Sequence, residues 1–485
     1  METKTMSKRL LTVVQMNDLH GYLEPHAEII WSPGGPQFPT MGGLARIASV
    51  VAGLRQETAG GLVFLDNGDT FHGTFPAVQS KGEALIPMLN ALGIDAMTAH
   101  WDFAWGPGHL KSLASKLNYP MLAANCTDPS TGERPFSAQM IFERGGIRVA
   151  VIGLTATIID KSMPPRFAGG LQFTSGISEL PSAIEQAKKD AADIVVVLSH
   201  QGFPQDCLLA ESVAGIDIIV SGHTHNRLSH PARVGQTLIM QSGCHGSFIG
   251  KMTVSIDDGR IDLVEHQLIP IDETIPEHAD IAELVERAMA PHRAMLSEIV
   301  GSTAKPLHRA TSMDAPMDDF LLAAICDVAG TAIGFSNGWR YGAPIPPGPI
   351  SQNDLWNIIP TNPAVSTVEL TGAEIWEMVE DNLERTFSAD PFGQMGGYVK
   401  RFRGLTVFGR IENPPGHRVV DIHAGQEVLD AKKRYRVAYV TEQGVPAKFG
   451  VDRANLEMSA IDAMASYLRK DVLNDIAGTG RFVAV

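Results

Sequence analysis

Within Ser221-Gly222-His223-Thr224-His225-Asn226, two imidazoles stand one residue apart at the end of an apolar run, Ile216 to Val220. Such a pair cannot share one helical face, but from a strand end or tight loop both rings can enter one cavity. Alone, an HxH pair is weak evidence, since surface loops contain stray histidines. Other strand-like runs in the first half of the chain also end in metal-ligand residues. Leu10 to Met16 runs into Asn17-Asp18-Leu19-His20-Gly21, and Gly61 to Leu65 into Asp66-Asn67-Gly68-Asp69-Thr70. Ile194 to Leu198 runs into Ser199-His200. Carboxylate oxygen and imidazole nitrogen together suit Mn, Fe, Zn or Co. Asp69 is the carboxylate expected between two cations, where an anionic donor offsets their repulsion; the plain alternative is a helix cap. His100, beside Trp101 and Asp102, is expected to be a general acid or electrostatic stabiliser with Asp102 orienting it, against the alternative of a core histidine.

These donors need a scaffold that gathers strand ends. Leu10–Met16, Gly61–Leu65, Ile147–Leu154, Ile194–Leu198 and Ile216–Val220 read as short buried strands, and Leu44–Leu54 and Ala183–Lys189 as helices. In open α/β sheets ligands collect at the carboxyl ends of strands, where every one of these motifs falls. Residues 24–43, rich in Pro and Gly, are expected to form neither strand nor helix and to rim the site. A helix over residues 277–298 is expected to connect two domains, giving residues 1–272, a linker at 273–301, and 302–485.

At 485 residues the chain exceeds one ordinary core. Its 44% hydrophobic and 19% charged residues are those of a globular protein. A net charge of −15 argues against nucleic acid or an anionic membrane surface as main partner. Cys126, Cys207, Cys244 and Cys326 lack CxxC spacing and are expected as free thiols. The basic N-terminal stretch lacks the apolar core of a secretory signal, and no run reaches the ~18 residues of a membrane span, so a cytoplasmic location is expected, or a periplasmic one if an export signal was trimmed.

The strings DLHG, NGDTFHG, SHQG and GHTHN, in this order, resemble the calcineurin-like metallophosphoesterase domain, and the whole chain resembles the 5'-nucleotidase family, which adds a C-terminal substrate domain. The resemblance implies an α/β fold: a metallophosphoesterase β-sandwich flanked by helices, then a smaller α/β domain. It implies Asp18, His20 and His225 on one metal, His200 and His223 on the other, and Asp69 bridging. Mn is the first expectation for both ions, with Zn, Fe, Co or Mg as alternatives. The family's GNHEFD string places an asparagine ligand where Ala99 is read here, so Asn125 or a water is expected to substitute.

His100-Trp101-Asp102-Phe103-Ala104-Trp105-Gly106 is closer to the HWEF string of the SoxB-like thiosulfohydrolases, which release sulfate from an S-sulfonated thiol on a carrier protein. Phe335–Gly342 and Gly396–Leu405 resemble that branch's SPGFRWG and GGDMVRVGGL, which makes Arg340 and Arg401 the expected substrate-binding residues. The aromatic loops with which nucleotidases stack a base are not visible. Two cations about 3.5 to 4 Å apart would lower the pKa of a bridging water towards neutrality and supply hydroxide. The expected activity is hydrolysis of an anionic phosphate ester or a related sulfur ester, the substrate being a small anion or a carrier-protein thiol adduct. A non-catalytic metal-binding protein is the third reading, motivated by Ala99.

Overall fold

The computed structural model describes residues 8–257, 259–313, 315–470 and 480–485. It divides into two compact units, residues 1–26 with 40–291 and residues 27–39 with 292–485. The division falls at Pro291, inside the helix Ala279–Leu296 that the sequence places between domains.

The first unit is built on two mixed sheets. One runs in the order 260–270, 248–257, 9–16, 62–66, 96–97, and the other in the order 232–234, 237–240, 218–221, 194–199, 147–154, 139–144. The strands that carry the motifs pair in parallel: Arg9–Met16 with Leu62–Asp66, that strand with Ala96–Met97, and Ile194–Ser199 with both Ile147–Leu154 and Ile218–Ser221. Parallel strands are buried on both faces and therefore read as unbroken apolar runs. Leu11, Val13, Val63 and Leu65 from one sheet and Val149, Val151, Val196, Leu198, Ile218 and Val220 from the other form a single buried cluster. The α/β sandwich expected from the motifs is thus the observed architecture.

The second unit holds a five-stranded sheet in the order 401–403, 333–336, 434–439, 364–371, 451–459 and a four-stranded one in the order 427–428, 419–424, 405–409, 481–484. Helix Gly372–Phe387 begins where it does because Thr371 and Glu374 form a reciprocal capping box. Its Ile375, Met378, Val379 and Leu383 pack into the core with Phe335, Val368 and Val437.

One local expectation is overturned. Residues 24–43 are not devoid of structure: Ile30–Ser32 and Gly35–Gln37 pair as a small hairpin about Pro33-Gly34, a turn dipeptide. All four cysteines are free thiols, and among the described residues no helix is long and apolar enough to cross a membrane. The start of the chain read for a signal, residues 1–7, lies outside the described residues.

Candidate metal centre

The parallel strands that carry the motifs run out into loops whose side chains turn into one buried space. The backbone there is held in an unusual conformation: Asp18, His20, Asp69, His223 and His225 have φ of 51, 50, 53, 71 and 57°. Non-glycine residues in this left-handed region are uncommon and cluster where surrounding structure over-determines them. Gly222 serves the site through space rather than through φ. A Cβ there would lie 3.1 Å from Asn67 Cβ, 3.2 Å from His200 Nδ1 and 3.3 Å from Asp18 Oδ2, so any side chain would displace the donors.

Two groups of potential ligand atoms result, Asp18 with His20 and His225, and Asp69 with His100, His200 and His223. Asp69 Oδ2 stands between them, 3.7 Å from His20 Nε2, 3.3 Å from His200 Nε2 and 3.2 Å from His100 Nδ1. Its other oxygen accepts the Trp101 N–H at 2.7 Å. Asp18 Oδ1 is 3.2 Å from His225 Nε2 and 3.6 Å from His200 Nε2, and the His223 N–H donates to the Asp18 carboxylate. The structure brings together all six expected donors.

The tautomers follow from the surroundings. His200 Nδ1 lies 2.6 Å from the Asn67 carbonyl and His20 Nδ1 3.2 Å from that of His72. A ring N–H given to a carbonyl leaves the Nε2 lone pair for a cation. The buried Nε2 atom of His100 has no hydrogen-bond partner, and that of His200 faces the carboxylates of Asp69 and Asp18 at 3.3 and 3.6 Å. Buried imidazole nitrogens and carboxylate oxygens left over in this way are the donor set that a borderline divalent cation completes, so the residues present fit a metal pair.

The electrostatics agree. Burial would raise the Asp69 carboxyl, but His100 and His200 outweigh it and hold it well below the usual range; Asp18, buried beside His225 and His200, falls to about 2. Burial alone would lower His200, yet Asp69 and Asp18 lift it to about 9, whereas burial takes His20 down to about 4.

Four expectations change. His100 is not set apart from the ligand groups: its ring is in the second one, 5.1 and 4.8 Å from the rings of His200 and His223. Ala99 backs onto Gly68, whose added Cβ would lie 2.9 Å from Ala99 Cα. Asp102 does not touch the imidazole of His100. Its carboxylate instead accepts the backbone N–H groups of Asp69, Thr70, Phe71 and His100 at 2.9 to 3.0 Å, tying the two loops together. Asn125 is not a substitute donor, because its amide is spent on both Thr155 and Thr174. In the second unit, Arg401 is 3% exposed, donates to the carbonyls of Ser312 and Thr311, and pairs with buried Asp318, so it is an internal strut and not a presented cation. Arg340 is half-buried, donates to the Gly397 carbonyl, and lies 5.5 Å over the Tyr398 ring.

Sequence reasoning missed the amides behind the ligands. Asn67 Nδ2 donates to the carbonyls of Ser199 and Val220, while Gln15 Nε2 donates to Asn67 Oδ1 and to the Ser221 carbonyl. The available signal was a fully buried polar residue closing an apolar run, as Gln15 does in LLTVVQM.

A model of the calcineurin-like phosphoesterase family matches residues 11–227, and one of the 5'-nucleotidase C-terminal domain matches residues 299–441. The chain belongs to the 5'-nucleotidase family. Its first unit carries the calcineurin-like phosphoesterase match and its second the 5'-nucleotidase C-terminal match. This member of the 5'-nucleotidase family is similar to the sulfate thiohydrolase SoxB of Thermus thermophilus, with a TM-score of 0.90 and 26% identity over 98% of this chain and 96% of that one. It shares its fold with a 5'-nucleotidase precursor, also from Thermus thermophilus, at a TM-score of 0.85 and 24% identity over 98% of this chain and 99% of that one. The trifunctional nucleotide phosphoesterase protein YfkN of Bacillus subtilis is 24% identical over 88% of this chain and 31% of that protein, so the chain spans about a third of that relative's length.

Proposed function

We propose that the chain hydrolyses a small anionic ester with a tetrahedral centre, either a phosphomonoester or the S-sulfonate of a thiol. The observation that carries this reading is the position of Asp69 Oδ2 between two groups of buried donors. In this assignment Asp18, His20 and His225 hold one divalent cation, His100, His200 and His223 the other, and Asp69 both, with Mn the first candidate. The cations would activate water and polarise the ester oxygens.

The chain's own part is preorganisation. The carbonyls of Asn67 and His72 fix the tautomers of His200 and His20, and Trp101 N–H fixes the rotation of the Asp69 carboxylate. Asp102 binds the Asp69 and His100 loops through their amides. Arg340 is the cation we assign to the substrate anion.

The sulfur reading draws support from the second unit. The Tyr398 ring has the guanidinium carbons of Arg340 and Arg401 at 5.5 and 5.8 Å, an aromatic engaged by cations. The likeness to SoxB points the same way. An enzyme of that branch would act on a carrier-protein thiol adduct outside the cytoplasm, whereas the phosphate reading carries no such requirement. The two separate on product: Mn-loaded protein is given S-sulfocysteine, AMP and p-nitrophenyl phosphate in parallel. Sulfate release without AMP hydrolysis selects the sulfur ester, phosphate release selects the phosphomonoester, and Asp69→Asn abolishes either. Turnover of none of the three would leave a metal-binding protein.

A further inference from the structure

Beyond the two ligand groups, the loop after strand Thr237–Met240 carries a second kind of donor set. His245 is 3% exposed, and neither of its ring nitrogens has a hydrogen-bond partner. A buried imidazole with both nitrogens unpaired is costly, because it has given up water and received nothing in return. Its neighbour Cys244 is a half-buried free thiol, and the sulfur and an imidazole nitrogen lie within 4.8 Å of one another. The His245 ring packs at 4.4 Å from that of Tyr22 and at 5.7 Å from that of His26. The rings of His20 and His225 are 5.8 and 6.2 Å away. The loop is pinned there, since His245 N–H donates to the Asp18 carbonyl at 2.8 Å and the His245 carbonyl meets His26 Nε2 at 3.0 Å.

We propose that Cys244, which also touches the His225 side chain, and His245 form a further cation site beside the dinuclear centre, for a thiophilic divalent metal of the zinc class. A thiolate and a neutral imidazole select Zn²⁺, Co²⁺ or Cd²⁺ over Mn²⁺ or Mg²⁺, which prefer oxygen. The groups next to it, built of imidazole and carboxylate without sulfur, accommodate Mn²⁺ as well. Protein filled with Mn²⁺ at the Asp69 centre therefore keeps Cys244 and His245 open to zinc. The inference does not depend on which ester, if any, the chain hydrolyses.

The probe is Co²⁺ on the full chain. Saturation is expected to give three equivalents, with a thiolate-to-cobalt charge-transfer absorption. Cys244→Ser is expected to lose that band and one equivalent while retaining two, and His245→Gln to weaken the same equivalent about tenfold or more. A measurement free of variants accompanies it: iodoacetamide labelling of Cys244, read by mass spectrometry, slows when Zn²⁺ is added to Mn²⁺-loaded protein and not when more Mn²⁺ is added. Binding of two equivalents with no thiolate band, or labelling of Cys244 at the same rate with and without Zn²⁺, overturns the proposal.

Discussion

The Nδ1 atom of His100 lies 3.2 Å from Oδ2 of Asp69. The contact puts the imidazole among atoms that can bind a cation instead of holding it back for proton transfer. His100→Ala is accordingly expected to reduce bound metal from two equivalents towards one and to weaken the affected site by about 10- to 100-fold, a range typical of lost metal-site contacts. Metal analysis after gel filtration checks this. Retention of both equivalents with only turnover impaired would return His100 to the role of general acid.

Asp102 holds four backbone N–H groups, and their loss is a matter of stability before it is one of chemistry. Asp102→Ala strands all four in a buried space, where each unmade bond costs about 1 to 3 kcal/mol. Denaturant unfolding is expected to show a loss of about 3 kcal/mol or more, with Asp102→Asn less affected because one acceptor oxygen survives. Since the carboxylate does not touch the His100 ring, the pH profile of residual turnover in Asp102→Asn is expected to keep its shape. A shifted limb in that profile would show that Asp102 acts on the imidazole after all.

A cation must displace the proton that buried His200 holds up to about 9 in the metal-free protein. Affinity for the metal should therefore rise with pH between about 6 and 9 and level off above, because the competing proton is then gone. Chelator competition at stepped pH measures the trend, and a flat profile would contradict the placement of His200 beside both carboxylates.

Burial pushes the Asp206 carboxyl up to about 7, against the hydrogen bonds it accepts from the Ser199 and Ser221 hydroxyls at the strand ends. The unfolded chain releases this proton near its ordinary value of 3.8. Between the two values the folded state binds the extra proton, so the stabilising contribution is complete below about 4 and is lost as pH rises through 7. Asp206→Asn is expected to flatten part of the decline in stability from pH 4 to 7, a slope to which Asp66, also raised to about 7 by burial, contributes independently. An unchanged slope in the variant would show that Asp206 titrates elsewhere.

The two arginines of the second unit should behave as opposites. Arg401→Met breaks the pairing with Asp318 and is expected to cost about 3 kcal/mol, although Arg309, at 2.8 Å from the same carboxylate, limits the damage. Arg340→Ala is expected to leave the melting temperature nearly unchanged and to raise KM. Thermal shift and steady-state kinetics on the pair decide it; a destabilised Arg340→Ala with unaltered KM would remove Arg340 from substrate binding.

What the sequence disclosed, and what it withheld, follows from where the information sits. Strand ends were legible because burial on both faces writes each parallel strand as an unbroken apolar run, and Asp18, His20, Asp69, His200, His223 and His225 stand directly after such runs. Assigning His100 required the spatial relation of two loops, which spacing along the chain does not contain. Asp102 misled because its partners are backbone N–H groups, and these leave no trace in side-chain identity. Arg401 matched a pattern of substrate arginines, yet on the strand Arg401–Arg403 its own side chain is turned to the buried Asp318. Asn125 lost its part through hydrogen bonds to Thr155 and Thr174 that only the fold reveals.

The amides of Asn67 and Gln15 fasten strand ends from both sheets of the first unit to one another. Capture of a cation is for this reason coupled to closing the two layers: a half-formed domain has every ligand residue in its chain and no place where they meet. Refolding from denaturant should restore metal uptake only together with the last cooperative step, and a chelator that strips the ions should ease the layers apart as well as silence the enzyme.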